Sequence, residues 1–172
     1  MSEENIELVR FVTEEGLNKG NLGFIDEVFS ADYEVHTAGL ALPKGPAAFQ
    51  MAVEFWKRAF PDFTCGIQEM FASGDLVGLR FRTTGTHTGP LMWMPPTGRT
   101  FVVEGVDLHR VVDGKVVESW ISDDFPRILF ELGIVEEPQP PAGAARPDGV
   151  AVAGPPPGVA GPPPGVAFPK AS

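Results

Sequence analysis

Hydrophobic residues in the first part of the chain recur at intervals of three and four, which is the spacing of amphipathic helices. Ser2 precedes two glutamates and predicts a helix N-cap, and the polar segment 18–21 ends this first helix. A short second helix is expected over 22–29, and a third from Pro46, which suits a first helical turn, to Pro61. The apolar positions that predict these helices are Ile6, Val9 and Val12, then Leu22, Ile25, Val28 and Phe29, then Phe49, Val53, Trp56 and Phe60.

Beyond Pro61 the hydrophobic period shortens to two, which is typical of β-strands. Residues 63–87 predict two long strands that turn at 73–75, and residues 100–122 predict a second hairpin joined by the dipeptide Asp113-Gly114. A last short helix is expected at about 124–132. Helices followed by antiparallel strands predict an α+β fold, with the helices packed on one face of a curved sheet.

The composition changes after Glu137. Residues 138–172 contain 11 of the 18 prolines and no Leu, Ile, Met or Trp, and the sequence GPPPGVA occurs twice, at 154–160 and 161–167. Proline lacks a backbone donor and favours an extended chain, and the glycines do not recur at every third residue as collagen requires. We therefore expect an α+β domain at 1–137, followed by a Pro/Gly/Ala-rich tail.

Charge and cysteine content exclude several classes of function. The 172-residue chain carries a net charge of −10, so attraction to nucleic acid or to an anionic membrane surface is not expected. The acidic N-terminus lacks the features of a signal peptide, and no apolar run reaches the roughly 20 residues of a membrane helix. A single cysteine, Cys65, excludes an intrachain disulfide and a multi-cysteine metal site. These features predict a cytoplasmic protein.

One predicted loop is unusually apolar. The segment GTHTGPLMWMPPTGR, residues 85–99, places four large apolar side chains between Gly-Pro and Pro-Pro, whereas loops are normally polar. Such a run is expected to cover a core, a subunit contact or an apolar ligand. The four side chains are Leu91, Met92, Trp93 and Met94.

Several segments of the chain together resemble a known family. GTHTG and PPTGR in 85–99 are followed by HRVVDGKVVESWISDDFPRILFELG at 109–133, and NKGNLGFIDEVFSADYEVH at 18–36 precedes them. In this order they resemble the SnoaL-like polyketide cyclases, or ester cyclases, of the nuclear transport factor 2-like superfamily. The resemblance covers about residues 5–134. It implies a cone-shaped, curved mixed or antiparallel sheet with three N-terminal helices on its concave face, no cofactor, and frequent homodimers.

The resemblance also implies a catalytic acid. Cyclases of this family use an aspartate four residues after a tryptophan and nine before a glycine, a spacing that Trp120, Asp124 and Gly133 keep. A poorly solvated carboxylate at this junction would have a raised pKa, as a general base needs. The residues alone favour Asp124 as the N-cap of the last helix, and Asp123 is its rival for either role.

Other side chains are expected around the same cavity. His87 follows the inward-facing positions of its strand and is predicted to share proton transfer with Asp124, although a buried structural histidine is equally compatible with its position. His36 is expected to reach the cavity from the opposite wall. The loop 85–99 would form the rim and lid of an apolar pocket. The predicted substrate-binding residues are His36, Trp56, Phe81, Leu91, Met92, Trp93, Met94 and Trp120, and no metal site is expected.

These observations predict a small cofactor-free enzyme that performs acid/base, aldol-type ring closure on an apolar carbonyl compound. A binding module without turnover is the alternative from another class, and this fold hosts further acid/base enzymes. An isomerase of the ketosteroid type would need a tyrosine in the cavity, and Tyr33 lies at the start of the predicted sheet. An epoxide hydrolase would need an arginine such as Arg82 or Arg99 beside Asp107, which the spacing does not demand.

Overall fold

The predicted helices are present, but a strand lies between the second and the third, which the expected order of helices followed by strands did not include. The structure is a computed structural model that describes residues 2–37 and 41–136. Its helices are α1 (Ser2–Phe11), which continues as the π-helical segment Val12–Asn18, α2 (Ile25–Val28), α3 (Pro46–Ala59) and α4 (Phe125–Glu131). The second helix is shorter than expected because Phe29 already begins a strand. The expected tail, 138–172, lies outside the described residues.

Five strands form one mixed sheet in the described part of the chain. They are β1 (Phe29–His36), β2 (Thr64–Ser73), β3 (Leu76–Thr86), β4 (Thr100–Val112) and β5 (Lys115–Asp123). The strand order is β1-β5-β4-β3-β2, with β1 parallel to β5 and every other pair antiparallel. The α+β fold and both predicted hairpins are confirmed.

The second hairpin owes its register to its turn. Asp113 and Gly114 have φ angles of 49° and 73°, and both therefore lie in the left-handed region that a two-residue hairpin turn requires. Val112 accordingly pairs with Lys115, the first residue beyond the turn. The turn fixes the pairs next to it, and a register shift between Arg110 and Val111, where β5 holds one extra residue, sets which of the remaining positions face the helices.

The N-terminal helices are fastened to the sheet by close contacts. The ring of Phe49 on α3 lies where a side chain at residue 16 would be, since a Cβ on Gly16 would come within 2.7 Å of it. At the end of the π-helical segment, Asn18 donates to the Cys65 carbonyl at 2.9 Å and accepts from the Cys65 amide at 2.6 Å. The helix end is therefore paired with the edge strand β2 much as another strand would be.

The hydrophobic core lies between this helical layer and one face of the sheet. Val77, Leu79 and Phe81 of β3 are buried on that face, as their alternation predicts. Phe60, which directly follows α3, and Phe101 of β4 are also fully buried. In the described segments no helix combines the length and apolar character needed to cross a membrane.

Candidate active site

Two neighbouring cavities lie between the helices and the sheet. The inner cavity has a volume of about 110 Å³ and the outer cavity about 340 Å³. Both are lined mainly by apolar side chains, which is the usual character of a small-molecule site. Four side chains line both cavities and so form the boundary between them: Val35, Ala52, Trp56 and Ile121.

Polar side chains from three strands meet in the inner cavity. Tyr33 comes from β1, Asp107 and His109 from β4, and Ser119 from β5. His109 lies directly opposite Ser119 in the sheet, and its Nδ1 is 2.8 Å from the Ser119 hydroxyl. Ser119 is also hydrogen-bonded to the Tyr33 hydroxyl. The three side chains thus form a continuous hydrogen-bonded chain.

Burial controls the ionisation of these groups. Loss of hydration is the main cause that raises the pKa of Asp107 to about 8, and the charge of nearby Asp123 contributes to this rise. The hydrogen bond from the Ser122 amide, at 3.2 Å, acts in the opposite direction. Burial likewise raises the pKa of Tyr33 to about 12 and lowers that of His109 to about 4. At neutral pH the inner cavity therefore holds a neutral phenol, a neutral imidazole and a largely protonated carboxyl.

The outer cavity contains a second acid. Asp123, at the end of β5, lines this cavity together with Phe125 and Met92. Burial is the main cause that raises the pKa of Asp123, and the charge of Asp124 adds to it. Asp107 on β4 pairs with Ile121 on β5, so Asp123 is its diagonal neighbour. The Cα atoms of diagonal neighbours lie roughly 7–8 Å apart.

Asp124 lies at a different place from the one that the spacing predicts for a catalytic acid. It is exposed, it lines neither cavity, and its Oδ1 accepts a hydrogen bond from the Arg127 amide at 3.1 Å. Asp124 is therefore the N-cap of α4, which was the structural alternative for this residue. Its rival Asp123 is the acid that faces the outer cavity.

His87 is buried near the start of the apolar loop 85–99, and it lines neither cavity. Its Nδ1 accepts a hydrogen bond from the Thr97 amide at 3.2 Å and lies 3.1 Å from the Thr97 hydroxyl, while the ring packs on Phe60. Burial lowers the pKa of His87, so the ring is neutral near pH 7. These contacts correspond to the buried structural histidine that the sequence left open, and they do not bring His87 near Asp124 or Asp123.

The apolar loop divides its four large side chains among different environments. Leu91 is fully buried in the core, and Met94 packs against that core. Met92 lines the outer cavity, as predicted, whereas Trp93 is 85% exposed. The loop is held in place where the Thr88 and Gly89 amides donate to the Ala59 carbonyl at the end of α3. Of the four loop side chains expected to line the pocket, Met92 is the one that does so.

The other predicted substrate-binding residues are also divided. Trp56 lines both cavities, as expected. Phe81 is a core residue that lines neither. His36 and Trp120 stack on each other with ring centroids 5.5 Å apart, and neither ring lines a cavity. They occupy the opposite face of the sheet because their strand neighbours Val35 and Ile121 face inward.

The sequence pattern does not predict the inner group of Tyr33, His109 and Ser119, and it offers Asp107 only as part of an unsupported arginine cluster. A usable signal was present in β4, where Asp107 and His109 alternate with exposed neighbours and continue the inward series of Val103 and Val111. In residues 2–37 and 41–136, no group of three His, Cys, Asp or Glu side chains is arranged to hold a metal ion.

Comparison with known proteins agrees with this architecture. The sequence model of the family described as SnoaL-like polyketide cyclase matches residues 7–132. Nogalonic acid methyl ester cyclase of Streptomyces nogalater is 34% identical over 119 residues, which cover 67% of this chain and 88% of that protein. Aklanonic acid methyl ester cyclase DnrD of Streptomyces peucetius is 33% identical over 146 residues, which cover 83% of this chain and 97% of that protein.

A solved structure extends the agreement to three dimensions. IdmH of Streptomyces antibioticus, provisionally described as a polyketide cyclase, has a TM-score of 0.66 and 32% sequence identity to this chain. The match covers 75% of this chain and 98% of IdmH. The fold, the family match and the named relatives confirm the resemblance stated from the sequence. The chain belongs to the SnoaL-like polyketide cyclase family of enzymes.

Proposed function

We propose that this cyclase closes a carbon ring by an intramolecular aldol reaction in which Asp123 is the general base. The observation that carries the proposal is a single half-buried carboxyl, that of Asp123, in an otherwise largely apolar cavity of about 340 Å³. Burial raises the pKa of Asp123. A carboxylate with a raised pKa is a stronger base than one in water, and it abstracts a carbon-bound proton more readily.

The reaction is balanced without any cofactor. The Asp123 carboxylate takes a proton from a carbon between two carbonyl groups, and the electron pair of that C–H bond forms an enolate. The enolate carbon attacks a second carbonyl carbon of the same molecule, a C–C bond forms, and the carbonyl electron pair moves to oxygen. That oxygen receives the proton from Asp123. Because the acidic carbon and the electrophilic carbonyl belong to one molecule, holding one folded conformer supplies much of the rate.

The substrate class follows from the cavity and from the relatives. The outer cavity is lined by side chains such as Trp56, Phe125 and Met92, which suit a flat apolar compound. The two curated relatives are named as cyclases of nogalonic acid methyl ester and of aklanonic acid methyl ester. We therefore propose that the substrate is the methyl ester of a polyketide acid of this type.

The choice between the two neighbouring aspartates gives a direct test. Asp123→Asn keeps the size of the side chain and removes the base, so turnover of aklanonic acid methyl ester or nogalonic acid methyl ester should fall at least about 100-fold. Asp124→Asn is the matched control, because asparagine is as good an N-cap as aspartate and the side chain lies outside the cavities. Its rate should stay close to that of the wild type.

Each possible result of this experiment decides something. Loss of turnover in Asp124→Asn with retention in Asp123→Asn would overturn the assignment and return the catalytic role to Asp124. Retained turnover in both variants would exclude either carboxyl as the base. If the wild-type protein converts neither methyl ester, the proposed substrate class is wrong. Thermal unfolding of both variants, measured by circular dichroism, separates these results from a loss of folding.

We also propose that the protein is a homodimer that associates through the outer face of the sheet. Phe71 pairs with Gly78, Gly78 with Leu108, and Leu108 with Trp120, so these positions form one row across four strands. Phe71 and Leu108 are exposed, and Val106 adds a further exposed apolar side chain on the same face. Such a row of exposed apolar residues is typical of a subunit contact.

A further inference from the structure

We propose that the inner cavity is an oxygen-binding subsite, in which the Tyr33 hydroxyl and the Asp107 carboxyl both donate hydrogen bonds to one oxygen of the substrate. The inference rests on the proposed aldol function and adds a second part to it. Asp123 removes the proton in the outer cavity, and the enolate oxygen formed in that step is held in the inner cavity. Tyr33 and Asp107 would then be catalytic residues.

The placement of Tyr33 and Asp107 supports a ligand at this point. Both side chains line the inner cavity, although they come from strands at different places in the sheet. Tyr33 is 3% exposed and Asp107 is 9% exposed, so water competes little for their hydrogen bonds. Both have capacity to donate, since a neutral phenol and a protonated carboxyl each carry an O–H group. An apolar core has no need of two such donors beside an empty volume.

Contacts behind Tyr33 fix where its hydroxyl lies. The phenol ring packs on Phe29 with ring centroids 4.7 Å apart, and the hydroxyl is hydrogen-bonded to Ser119. Ser119 is fully buried and is in turn bonded to His109 Nδ1 at 2.8 Å. Ser119 and His109 are therefore positioning residues, which act on the substrate through Tyr33.

The direction of this chain of hydrogen bonds leaves the phenol proton available. His109 is neutral, and its Nε2 is buried without a hydrogen-bond partner. A buried unpaired N–H is rarer than a buried unpaired acceptor, which favours the tautomer with the proton on Nδ1. Nδ1–H then donates to Ser119 and the Ser119 hydroxyl donates to Tyr33. The Tyr33 proton is left to point at a ligand oxygen.

The environment of Asp107 favours its role as a donor. One carboxyl oxygen accepts from the Ser122 amide at 3.2 Å. The titratable groups that face the carboxyl are Asp123 from β5, Tyr33 from β1, Cys65 from β2 and His109 from its own strand. Among these four groups none is a cation near neutral pH, so nothing offsets the cost of ionising Asp107. The carboxyl therefore keeps its proton and can donate it to an oxygen anion.

Two acids with separate tasks follow from this arrangement. A pair of carboxyls whose surroundings push their pKa values apart can act as one base and one neutral donor. Here the more buried Asp107 keeps the proton, and Asp123 is free to accept one. The fitting ligand is a flat apolar compound whose narrow end bears a carbonyl or phenolic oxygen. That end must pass Val35 and Ile121 to reach the inner cavity.

The test uses 4-nitrophenol, because its phenol and phenolate forms absorb at different wavelengths and the compound cannot undergo ring closure. The bound phenolate imitates an enolate oxygen, so the wild-type protein should bind it and shift its absorbance. Tyr33→Phe and Asp107→Leu each remove one O–H donor without supplying another, and each should weaken phenolate binding about tenfold or more. Ser119→Ala should weaken it less than Tyr33→Phe, because the phenol remains but loses its fixed position.

Ser122→Ala is the matched control, since the Ser122 side chain is exposed and only its backbone amide contacts Asp107. It should bind 4-nitrophenolate as the wild type does. Equal affinity in the wild type, Tyr33→Phe and Asp107→Leu would overturn the proposal, as would absence of binding to the wild type.

The same variants separate this proposal from the proposed function. If 4-nitrophenolate binding depends on Tyr33 and Asp107 but Asp123→Asn retains full turnover, the subsite stands and the base assignment fails. If Asp123→Asn loses turnover while Tyr33→Phe and Asp107→Leu retain the wild-type kcat, the base stands and the subsite has no part in the reaction.

Discussion

Asp107 and Asp123 are the same chemical group in neighbouring positions, and their surroundings give them different properties. Asp107 lies deep in the sheet, and burial there raises its pKa from 3.8 to about 8. Asp123 is closer to the outer cavity, and burial raises its pKa as well. Asp124, one residue further on, is exposed and hydrogen-bonded to a helix amide. Depth of burial therefore distinguishes the three carboxyls, although their local sequence does not.

This explains which part of the site was predictable. The spacing of Trp120, Asp124 and Gly133 predicts Asp124 as the acid, whereas the carboxyl that lines the outer cavity is that of Asp123. The spacing cannot decide which of two adjacent aspartates faces inward, because that depends on where β5 stops and α4 begins. The position of Tyr33 at the start of the predicted sheet gives no sign that it reaches the cavity, because its proximity to Ser119 depends on the pairing of β1 with β5.

Titration of Asp107 predicts how stability changes with pH. Between pH 3.8 and about 8 the folded protein holds a proton on Asp107 that the unfolded chain releases, so its contribution is greatest at low pH and is lost as the pH rises toward about 8. His109 acts in the opposite sense between pH 6.5 and about 4, because its folded pKa is depressed. Between pH 6.5 and about 8 the contribution of His109 is small, so the difference in slope between the wild type and an Asp107 variant reports the titration of Asp107.

In this window the free energy of unfolding of the wild type should fall with rising pH by up to about 1.4 kcal/mol per pH unit from this one group. Asp107→Asn carries no titrating proton and should lose correspondingly less. Urea unfolding followed by circular dichroism at several pH values measures both proteins. An equal slope in the two proteins would show that Asp107 is already ionised in the native state.

At the scale of elements, turns were predicted well because their chemistry is local. Asp113-Gly114 requires only its own two residues to reverse the chain, and both residues have the expected backbone conformation. The apolar loop was predicted less well. Its composition shows that something must be covered, but the burial of Leu91 and the exposure of Trp93 depend on how the end of α3 fixes the loop.

Helix α4 depends on its cap. The Asp124 side chain satisfies the Arg127 amide, and the cap fixes the entry into the helix beside Phe125, which lines the outer cavity. Asp124→Ala should lower the free energy of unfolding by about 1 kcal/mol, whereas Asp124→Asn should change it little. Chemical denaturation of the two variants measures the difference. Equal losses in both would indicate that the charge of Asp124, rather than its capping hydrogen bond, stabilises the helix.

At the scale of the whole molecule, the outer face of the sheet predicts the oligomeric state. Leu108→Asp places a charge in the apolar row with Phe71 and Trp120 and should convert a dimer into a monomer. Val135→Asp is the control, because Val135 is also an exposed apolar residue but lies beyond α4. Light scattering after size-exclusion chromatography gives both masses. A monomeric wild type, or a dimeric Leu108→Asp variant, would contradict the proposed interface.

Parallel pairing of β1 with β5 has a consequence for when the enzyme becomes active. The strand that carries Tyr33 is made early, and its partner, which carries Ser119, is the last strand of the sheet. A nascent chain therefore exposes half of its oxygen-binding subsite until synthesis has passed β5 and β1 has paired with β5. The site is therefore complete only when the sheet is complete. A truncated or partly folded chain has no pocket in which the reaction could start.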